Sequence, residues 1–171
     1  MLVLGLDPGT ATTGYGLINF DRNDFDIVEY GLIETHKDET ASKRLSIIHS
    51  EVIRIINSHN PEVIAIEKVF FFSNAKTVIK VGQAIGVMML AAAHTGRQIF
   101  EYSPAMVKKS ISGNGRADKK MVQQSLRKIL GPKVRSQKRK KTHFDNAADA
   151  LAIALCHALQ TSIIPPFDLE S

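Results

Sequence analysis

Asp7, Glu67 and Asp149 are the residues whose types and positions point to chemistry. Asp7 closes the apolar run Leu2-Val3-Leu4-Gly5-Leu6, and Glu67 closes Val63-Ile64-Ala65-Ile66. Open α/β sheets keep their sites just outside the carboxyl ends of the strands, so the two acids are expected to converge. Asp149 lies in a helical stretch with Asp145 and Asn146 four and three residues before it, which puts all three on one face. Ala147, Ala148, Ala150, Ala152 and Ala154 keep that helix slim enough to approach a sheet closely. One strand-end acid is as readily explained by a helix cap or a lysine partner. Two such acids plus a helix-borne third make that explanation weaker. A carboxylate cluster without His or Cys is a hard-oxygen site, suited to Mg²⁺ or Mn²⁺. Two such ions about 3.5 to 4 Å apart activate a water and stabilise the leaving 3′ oxygen of a phosphodiester, with no covalent nucleophile.

The elements that must position these groups follow from the pattern. Residues 2–7, the turn Pro8-Gly9-Thr10 and Gly14-Tyr15-Gly16-Leu17-Ile18 read as strand, tight loop, strand, and Phe25 to Glu34 as a third, imperfectly alternating strand. Leu45, Ile48, Val52, Ile55 and Ile56 recur at helical spacing, which predicts a helix over 41–58. Val63 to Ile66, apolar throughout, fits a central strand parallel to the first. A long helix over 75–94 follows, in which Gly82, Gly86, Ala91, Ala92 and Ala93 are expected to permit close packing. A strand at 98–101, a short helix over 104–110, the loop Gly113-Asn114-Gly115, a helix over 118–130 and a last helix over 145–160 complete the chain.

Composition bounds the partner. With 171 residues, 44% of them hydrophobic, the chain suits one α/β domain rather than two. Residues 108–141 hold thirteen of the 22 Lys and Arg and a single acid, Asp118, for a local charge of +12 beside a remainder at −7. A short basic run is usually a solvated face; a segment this long beside an acidic body gains by releasing counterions from a polyanion. Nucleic acid is therefore the expected partner class. The lone Cys156 excludes an internal disulfide and reads as helix packing. The N-terminus carries no basic leader region, and no apolar run approaches about 18 residues, so a cytosolic protein without a membrane span is expected.

The motifs together resemble a known family. Leu4-Gly5-Leu6-Asp7-Pro8-Gly9-Thr10, then Gly14-Tyr15-Gly16, Ala65-Ile66-Glu67-Lys68-Val69-Phe70, Gly82-Gln83-Ala84-Ile85-Gly86-Val87 and Ala148-Asp149-Ala150-Leu151-Ala152-Ile153-Ala154 are similar, in order and spacing, to the motifs of the RuvC Holliday junction resolvases. The resemblance reaches nearly to residue 160. It implies an RNase H-like fold, a mixed five-stranded sheet flanked by helices, with one nuclease domain over 1–160 and an irregular tail over 161–171. It implies a homodimer that nicks two opposed strands of a four-way DNA junction in recombination and repair, beside the branch-migration proteins RuvA and RuvB, in the bacterial cytoplasm. The cofactor implied is Mg²⁺, two ions per site, with Mn²⁺ able to substitute.

By position, Asp7, Glu67 and Asp149 match the family's catalytic, metal-binding carboxylates. Asn146 departs from the pattern, which has Asp or His there: an amide can lend an oxygen but no charge. Asp145, one residue earlier, is aimed about 100° around the helix. Phe70 matches an aromatic that wedges among bases, with core packing the other reading for Phe70, Phe71 and Phe72, of which at least one is expected in the core. Lys108 and Lys119 match lysines near the scissile phosphate, with Lys109 and Arg116 beside them and solvated charge the other reading. Asn74 is either a phosphate contact at a helix start or a plain N-cap. Val78, Val81, Ile85 and Met89 form a stripe along which dimerisation is expected, with burial in the core of one monomer the other reading that the same spacing allows. Two other readings are an actin-like ATPase or sugar kinase, which needs a second such domain and a second Asp-Gly motif, and a non-catalytic junction-binding protein, to which Asn146 lends weight.

Overall fold

A computed structural model of the chain describes residues 1–22, 24–68, 75–131 and 141–162, with the backbone alone for 141–145. The described elements run β1 (Leu2–Asp7), β2 (Thr12–Asp21), β3 (Asp24–Glu34), α1 (Ala41–His59), β4 (Val63–Glu67), α2 (Ala75–His94), β5 (Gln98–Tyr102), α3 (Pro104–Ser112), α4 (Lys119–Leu130) and α5 (Lys141–Thr161). The strands form one sheet in the order β3-β2-β1-β4-β5. β1, β2 and β3 pair antiparallel, while β4 runs parallel to β1 and β5 parallel to β4. This is the mixed five-stranded α/β sheet that the pattern predicts.

Local chemistry sets the element ends. Thr40 caps α1 by accepting from the Lys43 amide, and Asn60 ends it in the left-handed region at φ 53. Ser103 and Asp118 cap α3 and α4 in the same way. The irregular alternation of β3 also has a local cause. The β2/β3 register shifts between Leu17 and Ile18, whose partners are Glu29 and Ile27, so Val28 is the extra residue of a bulge and stands 49% exposed. Beyond a bulge the inward and outward positions exchange.

Side chains alternate across a sheet, so each strand feeds two cores. Leu4, Leu6, Leu17, Ile64 and Ile66 pack with Ile48, Val52, Ile55 and Ile56 of α1 and Ala84, Ile85 and Met88 of α2. Val3, Ile18, Ala65 and Tyr102 pack on the opposite face with α3, α4 and Leu151 to Cys156 of α5. α2 is, by length and composition alone, apolar enough to cross a membrane, which qualifies the expectation drawn from apolar runs. Its Ala84, Ile85, Met88, Ala91 and Ala92 are buried against the protein core. Within the chain, close packing at its glycines is not found: a Cβ on Gly82 or Gly86 meets nothing within 4 Å, and Ala93 is exposed.

Candidate active site

Register and alternation place the first two acids. Leu6 pairs with Ile66, so Asp7 and Glu67 lie side by side at the carboxyl ends of neighbouring parallel strands. Asp7 shares a face with Val3 and Gly5, and Glu67 with Ala65, which is the face covered by α5. The apolar residues between them, Leu4, Leu6, Ile64 and Ile66, face α1 and α2 instead. A shift of one residue in either strand would turn its acid away.

Asp149 reaches that face because α5 lies almost backbone to backbone on the sheet. An added Cβ on Gly5 would stand 2.1 Å from the carbonyl oxygen of Ala150, and one on Gly14 would stand 2.1 Å from that of Asn146. No side chain other than hydrogen fits at either place. Ala147, Ala148, Ala150, Ala152 and Ala154 are buried on the helix side. The slim helix expected from the alanines is therefore half of the contact, and the strand glycines are the other half.

Electrostatics ties the three acids together. Burial first, then the charges of Asp149 and Glu67, push Asp7 up from 3.8 to about 7, against the pull of Lys119. Glu67 is also raised, by burial and by Asp149, with Lys108 and Lys119 acting the other way. The Lys119 ammonium donates to Asp149 Oδ2 at 2.8 Å. Among the described residues no three His, Cys, Asp or Glu side chains come together closely enough to enclose a metal ion. Three like charges repel, and a lysine sits on the third. The donor set nevertheless fits a hard divalent cation, because all three groups offer oxygen and a positive ion among them would offset both the burial and the mutual repulsion that raise Asp7 and Glu67.

The other sequence candidates fall in different places. Lys108, half-buried on α3, and Lys119, first residue of α4, act on the acids. Lys109 and Arg116 are exposed nearby and are not among the charges that shift Asp7 or Glu67. Asn146 is half-buried on α5 beneath Asp149. Phe70, Asn74 and the side chain of Asp145 lie outside the described residues, as do residues 132–140 of the basic segment and the tail from 163. Of the expected dimer stripe, Ile85 is buried and Val78 and Val81 are half-buried, leaving Met89 exposed. The exposed apolar line of α2 is Ile79, Gly82, Gly86, Met89, Leu90 and Ala93, because one side of the helix is already taken up by the core.

No sequence motif signals what holds the loop after Asp7. Thr13 donates to the Gly9 carbonyl at 2.7 Å and Thr35 to the Thr10 carbonyl at 2.6 Å, while Arg44 Nε donates to the Thr35 hydroxyl at 2.8 Å. Thr35 and Arg44 are 25 and 34 positions away from that loop, beyond the reach of any local motif.

A mixed sheet of this strand order, with acids on its two central strands and on a closely packed final helix, defines an RNase H-like nuclease. Residues 3–157 match the family model for crossover junction endodeoxyribonuclease RuvC. The chain is 44% identical over 158 residues to the crossover junction endodeoxyribonuclease RuvC of Alkaliphilus oremlandii, covering 92% of this chain and 93% of that one. It is 45% identical to that of Pelotomaculum thermopropionicum, with the same coverage. The structure of T. thermophilus RuvC in complex with a Holliday junction substrate superposes with a TM-score of 0.85 at 32% identity, covering 95% and 96% of the two chains. The chain belongs to the RuvC family and is a metal-dependent, junction-resolving endodeoxyribonuclease. Membership sets aside the ATPase and sugar-kinase reading.

Proposed function

We propose that this chain works as a homodimer in the bacterial cytoplasm, nicking two opposed strands of a four-way DNA junction by Mg²⁺-dependent hydrolysis during recombination and repair. The observation that supports it is the gathering of Asp7, Glu67 and Asp149, from β1, β4 and α5, on one face at one end of the sheet. In this reading the three carboxylates hold two Mg²⁺ ions or Mn²⁺ in their place, with Asn146 lending a neutral oxygen and Asp145 a candidate beside it. Held there, the ions would supply the activation of water and the stabilisation of the leaving oxygen. Lys119 and Lys108, already set against Asp149 and Glu67, offset charge at the scissile phosphate. Lys109, Arg116 and Asn74 extend the backbone contacts. Phe70 stacks on an unpaired base at the crossover, worth about 1–3 kcal/mol, which favours an opened junction over plain duplex.

A two-fold dimer suits a nearly two-fold substrate. The exposed line on α2 supports it: Ile79, Met89 and Leu90 are 61%, 41% and 47% exposed, and Gly82 and Gly86 leave room for a second helix to approach. RuvA and RuvB, which the family resemblance implies, are the partners that deliver such junctions. The decisive experiment is nicking of a synthetic four-way junction in Mg²⁺. Asp7→Asn and Glu67→Gln are expected to lower the rate about 100-fold or more, the equivalent of ~3 kcal/mol, while junction binding persists. Intact nicking by both variants would sink the carboxylate site; absence of nicking by the unaltered chain would leave a junction binder.

A further inference from the structure

A pocket of about 230 Å³ opens between the loop that follows Asp7, the first turns of α1 and the flank of α2. Thr10, Ala41, Arg44, Leu45, Lys80 and Gln83 line it. Two of these are cations and none is an acid. Arg44 is held in place: its Nε donates to Thr35, whose hydroxyl donates to the Thr10 carbonyl, so the guanidinium is tied to the loop three residues after Asp7. Ala41 opens a 19-residue helix with no acid in its first turn, which adds the positive end of the helix dipole. The volume falls below the range of about 300–1,000 Å³ typical of drug-sized ligands and suits one small anionic group.

The location gives that anion its source. The pocket lies beside α1 and α2, whereas Lys108 and Lys119 belong to α3 and α4 on the opposite face of the sheet. The three carboxylates stand on that second face, at the sheet end where the loop following Asp7 carries Thr10 into the lining of the pocket. A strand laid across the acids would therefore meet cations on both sides. We propose that Arg44 and Lys80 hold a backbone phosphate of the DNA strand being cut, adjacent to the cleaved bond on the α1/α2 side. This inference rests on the junction-nicking reading and adds a second contact that fixes the path of the strand.

The test is junction binding by the full chain in metal-free buffer, followed between about 50 and 200 mM salt. Arg44→Gln combined with Lys80→Gln is expected to make the log–log salt slope shallower by about 0.9, so that salt weakens binding about threefold less across that range. Lys43→Gln removes one charge, as Lys80→Gln alone does, from the same turn of α1 as Arg44 but outside the pocket, and is expected to leave the slope unchanged. Lys80→Gln alone, at an exposed position, serves if loss of the Arg44–Thr35 bond impairs folding. A neutral methylphosphonate scanned along the cut strand should weaken binding of the unaltered chain at one position and leave the double variant indifferent there. A slope equal to that of Lys43→Gln, or no position with such coupling, overturns the proposal. So does binding of inorganic phosphate that needs Arg44 and Lys80 without any methylphosphonate coupling, which would mark a small-anion site. If the unaltered chain does not prefer a junction to duplex, the functional reading fails; if it does and the coupling is missing, only the pocket fails.

Discussion

Asn146 carries the sharpest question at the level of single residues. It sits one turn from Asp149 on the face that meets the acids, and its backbone carbonyl bears on Gly14, so its position is set by main-chain packing and not by its side chain. Asn146→Asp changes one terminal atom and adds a charge. It should tighten Mg²⁺ roughly tenfold, the scale of one coordinating partner, and raise nicking at limiting Mg²⁺. Unchanged Mg²⁺ dependence and rate would show that the amide already does all that the position requires. Asp7 allows a second test through pH. Its pKa is about 7 in the fold against 3.8 as its ordinary value, so the folded state binds the extra proton and stability falls as pH rises from about 4 to 7, then levels. Asp7→Asn should therefore stabilise the metal-free protein by an amount that grows across that window and stays constant above it, up to about 2–4 kcal/mol. Thermal melts in a chelator at pH 5 and 8 measure it; an equal gain at both would contradict the raised pKa.

Among the elements, α5 matters most, because it supplies both core residues and Asp149, the third acid of the proposed site. Gly5→Ala drives a methyl into the Ala150 carbonyl and should cost about 1–3 kcal/mol or more in denaturant melts. Gly14→Ala presses on Asn146, at the end of the contact nearest the acids, and should weaken Mg²⁺-dependent nicking more than it weakens the fold. Equal effects of the two substitutions on stability and activity would argue that α5 moves as a rigid whole. This contact also marks how far the sequence could be read. Apolar runs ending in Asp7 and Glu67, helical spacing in α1 and the alanine repeat of α5 are local patterns, and each element they predict is present within a few residues. The partners of Gly5 and Gly14 are more than 130 positions away, so nothing near those glycines reveals their role. Gly82 and Gly86 look like packing glycines from composition, yet they face open space because the buried side of α2 is carried by Ala84, Ile85, Met88, Ala91 and Ala92. Convergence of the acids was legible; the lysine on Asp149 and the Thr35–Arg44 brace on the loop after Asp7 were not, because they join separate elements.

For the whole molecule, the segregated basic segment suits a polyanion, and the proposed dimer would use the exposed apolar line on α2. Ile79→Lys together with Leu90→Lys replaces exposed side chains, so the monomer fold should persist while dimerisation fails. Sedimentation should then report a monomer, and paired nicking of a junction should give way to single nicks. A stable dimer carrying both substitutions would move the interface elsewhere. The seating of α5 has one more effect, on when the enzyme comes into being. The acids are drawn from residues 7, 67 and 149, and the helix that brings the last one also covers the second face of the sheet. A chain still emerging from the ribosome has two acids on a half-covered sheet and no third. If the three carboxylates are the cutting site proposed above, cutting competence arrives with the final act of folding, and a copy truncated before α5 is expected not to nick DNA.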